Sequence, residues 1–143
     1  MSGGYRFLEH TADSYVEAYG ASLEEAFENS GVALTDVMTD VKAVEAKTEK
    51  SFEIETEDEQ ALLYSWLEEL LLEFELKGKL YSRFEVSNIE KTSKGFILHA
   101  KGWGEEYDSK KHPSRVGVKA VTYHRMIILK EPNSVTVRFI LDI

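Results

Sequence analysis

The sequence predicts an α+β fold in which two long helices pack on one face of a mixed, mostly antiparallel sheet. Three observations carry that reading. Two stretches, "ASLEEAFENSGVALTDVMTD" and Glu59 to Lys77, repeat apolar residues with a helical period; short runs before and between them alternate as strands do; and from Leu80 onward the alternation continues, broken only by turn residues. No internal repeat or linker interrupts this order, so residues 1–143 read as one domain. A chain of this length buries roughly two-thirds of the surface its unfolded form exposes, enough for a single core.

Residues 5–8 and "SYVEAYG" (Ser14 to Gly20) read as strands on either side of a polar loop, "EHTAD". Ser22 followed by Glu25 is a capping box, which starts a helix at about Leu23. Its apolar positions Leu23, Ala26, Phe27, Leu34, Val37 and Met38 face one way. Asp36 and Asp40 fall one turn apart near its C-terminal end, where carboxylates oppose the macrodipole unless a cation or solvent offsets them. "SFEIETE" alternates as a half-buried strand. The helix from Glu59 to Lys77 turns Leu63, Trp66, Leu67, Leu70, Leu71 and Phe74 to the core and sets Glu68, Glu69, Glu73 and Glu75 elsewhere. "LYSRFEVSNIEKT", the turn "SKG" and "FILHAKGWGEEY" form a hairpin, and "GVKAVTYHRMIILK" returns after a polar loop. In the terminal strand Val135, Val137, Phe139, Leu141 and Ile143 share one face, and Thr136, Arg138, Ile140 and Asp142 share the other.

Composition narrows the chemistry. With no cysteine there is no disulfide, thiolate metal site or thiol nucleophile, and a cytoplasmic setting fits. The first ten residues lack the basic and apolar regions of an export signal, and no run is apolar for long enough to span a membrane. A net charge of −9 opposes strong direct binding to nucleic-acid backbones and favours proteins or cations as partners. There is no phosphate-cradling glycine loop, no "HExxH" and no nucleophile elbow, so a stand-alone enzyme is not expected.

Two stretches keep a functional reading beside a plain one. Asp142, next to the terminal carboxylate of Ile143, is either a solvated acid at a strand end or part of an oxygen-only site for Ca²⁺, Mg²⁺ or Mn²⁺. The second reading needs another carboxylate, and Asp13 of "EHTAD" is the best placed. His10 of the same loop is a hydrogen-bonded structural residue or a secondary participant. In "GWGEEYDSKKHPSR" the charges either pair among themselves in solvent, or present Lys110, Lys111 and His112 to a phosphate or to a partner's acidic site.

Taken in order, "FLEHTAD", "AYGASLEEAFENSGVALTDVMTD", "LLYSWLEELLLEFE", "GWGEEYDSKKHP", "VKAVTYHRM" and "VRFILDI" resemble the archease family over nearly the full chain. That resemblance implies an archease-like fold and a cytoplasmic cofactor of tRNA splicing and RNA repair. Its partner would be an RtcB-type RNA-splicing ligase. It would promote guanylylation of the ligase's active-site histidine, allow multiple turnover and broaden nucleotide use beyond GTP. The family's metal site, associated with calcium, maps to Asp13, Asp142 and Ile143, with Asp40 and His10 in a second tier. Its essential lysine maps to Lys111, and the doubled lysine leaves Lys110 open. A chaperone-like modulator of RNA- or DNA-processing enzymes, such as tRNA methyltransferases, is the alternative that the resemblance allows.

Overall fold

The computed structural model describes residues 3–8 and 13–143. The elements in chain order are β1 (Gly4–Leu8), β2 (Ser14–Gly20), α1 (Leu23–Met38), a 3-10 turn (Val41–Ala43), β3 (Thr48–Thr56), α2 (Glu59–Lys77), β4 (Lys79–Thr92), β5 (Gly95–Glu106), β6 (Ala120–Glu131) and β7 (Ser134–Asp142). The expected α+β class holds. Its strands, however, divide between two sheets, ordered β1-β2-β7-β6 and β3-β5-β4, and every pairing is antiparallel. Both helices touch both sheets, so one apolar core serves all three layers.

Local chemistry sets the boundaries of the helices. Ser22 Oγ accepts from the Glu25 N–H at 3.1 Å, and Glu25 Oε1 accepts from the Ala21 N–H at 2.9 Å. Asp58 caps α2 by accepting from the Ala61 N–H, and Gly78, at φ 65°, closes it in the left-handed region that glycine adopts without strain. Trp66 is fully buried; its indole N–H donates to Phe27 O at 2.9 Å, and its ring meets Phe52 and Phe84 edge-on. Burying a large apolar side chain of this kind contributes roughly 1.5–3 kcal/mol.

Two face assignments differ from the sequence pattern. Glu73 is buried, not outward, because Tyr81 Oη donates to it at 2.7 Å while Lys50 and Lys77 supply the opposite charge. Ile140 is 1% exposed although it alternates with polar neighbours; it sits between its cross-strand partners Tyr15 and Thr122.

Gly104 of β5 pairs with Tyr81 of β4, and a Cβ there would stand 1.8 Å from Leu80 O. Gly104→Ala is therefore expected to lower stability by about 3 kcal/mol, the upper end of the usual cost of overpacking, because the obstacle is backbone. Thermal melting of the variant checks this.

Candidate functional site

Two polar centres are joined by one connection. Residues 107–119 run from β5 to β6 and touch both of them.

The first centre is the end of β7. That strand is held on one side by β2, as far as the pair Ser14↔Leu141, and on the other by β6, as far as Ala120↔Asp142. Lys119 N–H also donates to Asp142 O at 2.7 Å. Asp13 immediately precedes Ser14 and Asp142 immediately follows Leu141, so the two aspartates flank the last pair of the β2–β7 ladder, and Asp142 shares its strand face with Arg138. Asp13 is half-buried; Asp142 and Ile143 are exposed. Further along that face Glu17 lies buried between Arg6 at 2.6 Å and Arg138 at 2.8 Å. Burial works against its charge, but the two guanidinium groups prevail and hold its carboxyl below the usual range. His10 lies outside the described residues.

The second centre surrounds Lys111. Its ammonium lies 2.7 Å from Glu45 Oε1 and 2.8 Å from Glu105 Oε2. Glu105 is buried, and its Oε2 also accepts from the Glu45 N–H at 2.8 Å and meets His112 Nε2 at 2.9 Å. His112 is 1% exposed, and its Nδ1 accepts from the Asp108 N–H at 2.9 Å. An accepting Nδ1 places the ring proton on Nε2, donated to Glu105. His112 thus positions the carboxylate and does not reach solvent. Burial pushes the Glu105 carboxyl up, but the Glu45 N–H, Lys111 and His112 together bring it down to about 2. Glu105 and Glu45 in turn raise the pKa of Lys111. Lys110 is exposed, with its backbone N–H on Asp108 Oδ1. The groove beside Lys111 has a volume of ≈ 760 Å³ and includes Lys47, Lys79, Glu106 and Asp108 in its lining.

Between the centres, the connection buttresses the end of α1. Arg115 N–H donates to Met38 O, and its guanidinium donates to Asp36 O at 3.0 Å and to Asp36 Oδ1 at 3.1 Å. This is the cation that the acidic helix end needed. Asp36 also accepts from the Val41 N–H and from Tyr5 Oη. The Tyr5 hydroxyl is pushed up to about 12 by burial first and then by Asp36. Asp40 has a local job: it accepts from the Lys42 N–H to cap the 3-10 turn, with Arg115 3.9 Å away.

The ladder thus brings the chain at Asp13 and the chain at Asp142 and Ile143 to the same end of the β2–β7 pairing, and Glu105 joins Lys111 with His112. Lys110 and Asp40 stand apart from both groups. Sequence reasoning passed over Glu105, Glu45 and Lys119. Glu105 alone left a signal, as an acid preceding the "KKH" run by a few residues; Glu45 is distant in sequence from its partners.

The Archease protein family (MTH1598/TM1083) model matches residues 5–143. "Protein archease" of Pyrococcus abyssi is 50% identical over 129 residues, covering 90% of each chain, and that of Sulfurisphaera tokodaii is 44% identical over 139 residues, covering 97% of this chain and 98% of its own. Protein 1598 of Methanobacterium thermoautotrophicum, solved in solution, superposes with a TM-score of 0.82 at 40% identity, covering 98% of this chain and 99% of its own. The crystal structure of an archease and possible chaperone from Thermotoga maritima shares the fold, with a TM-score of 0.60 at 19% identity, covering 95% and 94%. On the strength of these matches, which run nearly end to end, the chain belongs to the Archease protein family.

Proposed function

We propose that this protein is an accessory factor, not an enzyme itself, for an RtcB-type RNA-splicing ligase, and that it speeds guanylylation of the ligase's active-site histidine and sustains repeated turnover. It would also broaden the ligase's nucleotide use beyond GTP. The observation that carries this reading is the single connection that holds Lys111 at one end and backs Asp142 at the other. A surface that offers both an anchored cation and a pair of acids suits a triphosphate and its metal ions.

The donors at the β7 end are all hard oxygens, which suit Ca²⁺ first and Mg²⁺ or Mn²⁺ after it. Asp13, Asp142 and the backbone or terminal oxygen of Ile143 would hold the ion. Among the described residues no three acidic, histidine or cysteine side chains form a metal cluster. Calcium takes 6–8 oxygens, so such a site leaves positions open to water or to groups from the partner. The bound ion would supply positive charge where the nucleotide phosphates lie. The chain's own residues do the rest: pairing with Ala120 holds the backbone of Asp142, and Glu105 with His112 holds Lys111.

The test is covalent guanylylation of a purified RtcB-type ligase at limiting GTP and divalent ion, with and without this protein. Faster formation of the guanylylated ligase is expected. No acceleration, together with chelator-insensitive protection of unfolding client proteins, would move the assignment to a chaperone-like role.

A further inference from the structure

Strand β6 falls out of step with β7 in its first half. Thr122 pairs with Ile140 and Ile127 with Arg138, so four residues, Tyr123 to Met126, stand opposite the single residue Phe139. A bulge of this kind re-aims the side chains it carries. Both of its shoulders are fixed. Tyr123 lies flat on Tyr64 of α2, with ring centroids 4.4 Å apart and planes 6° from parallel, and Met126 returns to the core. Thr122 Oγ1 accepts from the His124 N–H at 3.1 Å, which closes the turn. At the tip, His124 and Arg125 are exposed.

Two observations single out Arg125. Its φ of 56° is the one positive value at a non-glycine position among the described residues. Glycine takes that conformation without strain, whereas arginine carries a cost there that contact with solvent alone does not explain. Its side chain also lacks a partner. Of the five arginines, Arg6 and Arg138 meet Glu17, Arg115 meets Asp36 and Arg83 lies over the Trp103 ring; that of Arg125 makes no ion pair, hydrogen bond or ring contact among the described residues. Tyr123, anchored beside it, leaves 52% of its surface open.

An anchored tyrosine next to an unengaged arginine has the make-up of an interface hot spot. We propose that the 123–126 bulge is a docking surface for a protein partner, in which the Arg125 guanidinium receives an aspartate or glutamate of that partner and Tyr123 supplies the apolar contact. The planar fork of arginine matches a carboxylate through two parallel hydrogen bonds. An RNA strand fits less well. The chain carries a net charge of −9, and Asp58 and Glu68 lie close enough to Tyr123 to push its hydroxyl up, after burial as the first cause. A phosphate backbone would run past those acids; a single carboxylate need not. Position adds a further argument. β6 opens with Ala120, the cross-strand partner of Asp142, and Tyr123 follows three residues on, roughly 10 Å along the strand. A partner seated on the β7 end therefore reaches the bulge. Naming that partner as the ligase rests on the function proposed above.

Calorimetric titration of a purified RtcB-type ligase with the intact protein, at low and high salt, tests the surface. Arg125→Gly removes the side chain and relieves the backbone, so its melting temperature should equal or exceed that of the unaltered protein. Its affinity for the ligase should nevertheless fall about tenfold, as when a hot-spot side chain is truncated. Arg125→Glu should lose about a hundredfold, because like charges then face each other. Binding by the unaltered protein should weaken with salt more steeply than binding by Arg125→Gly. Equal affinities of Arg125→Gly and the unaltered protein, or identical salt dependence, would overturn the docking surface alone. A single-stranded RNA that binds the unaltered protein without ligase, and is released by Arg125→Glu, would overturn the protein partner in favour of RNA. No binding of ligase by the unaltered protein would overturn the function proposed above and this partner together.

Discussion

Asp142→Ala is expected to reduce stimulation of ligase guanylylation by on the order of a hundredfold, a typical loss when one preorganised electrostatic group is removed. The substitution is gentle on the fold. Asp142 is exposed at a strand end, and its backbone carbonyl, which Lys119 uses, is retained. Stability without metal should change by no more than about 0.5 kcal/mol, or rise slightly as repulsion with Asp13 disappears. A second readout separates ion binding from contact with the ligase. Calcium at about a hundred times its dissociation constant stabilises a protein that binds it at one site by roughly 2.7 kcal/mol. For a domain of this size that is on the order of 10 °C in melting temperature. The unaltered protein should show this rise and the variant should not. A calcium-dependent rise that survives in Asp142→Ala would take the ion away from the β7 end.

Glu105→Ala is expected to be the more damaging change to the fold, at roughly 3 kcal/mol, because it breaks a buried charge pair. The carboxylate serves the Glu45 N–H, the Lys111 ammonium and His112 Nε2 together. Without it the imidazole keeps a buried donor with nothing to meet, and Lys111 loses the buried one of its two carboxylate partners. The dependence on pH carries a sign. The folded protein holds this carboxyl down to about 2, below the unfolded value of roughly 4.3. Its stabilisation is therefore complete above about pH 4.5 and is lost as pH falls toward 2. Stability measured by denaturant melts followed by circular dichroism should fall more steeply from about pH 4.5 toward pH 2 in the unaltered protein than in the variant, which starts lower and lacks this component. Identical acid profiles for the two proteins would show that Glu105 has no such role.

Much of the fold was legible because its signals are local. Ser22 with Glu25 marked the start of α1, the apolar period from Leu63 to Phe74 marked α2, and alternation marked β7 to its last residues. The division of the strands into two sheets was not legible, since alternation shows that a strand has a buried face but not which sheet it joins. The burial of Glu73, Glu105 and His112 escaped for a related reason. A charge in a sequence carries no depth, and the Lys111–Glu45 contact closes over 66 residues. In "GEEYDSKKH" Glu105 and His112 pair beneath the surface with Lys111 half-buried beside them, while Glu106, Asp108 and Lys110 stay exposed as in a solvated loop. At the β7 end, the arrival of Asp13 and Asp142 at the same end of the β2–β7 ladder followed from two strands whose pairing no local pattern announces.

Connections between strands ordinarily tolerate added residues, because a longer loop costs little entropy and bulges into solvent. The stretch from Tyr107 to Lys119 lacks that slack. It is fastened at His112 to Glu105, at Arg115 to Met38 and at Lys119 to Asp142. Between one fastening and the next lie only two or three residues, fewer than an insertion would need to be absorbed. The stretch should therefore hold its length among related chains more strictly than an ordinary connection does, behaving in evolution as a measured spacer and not as a surface loop.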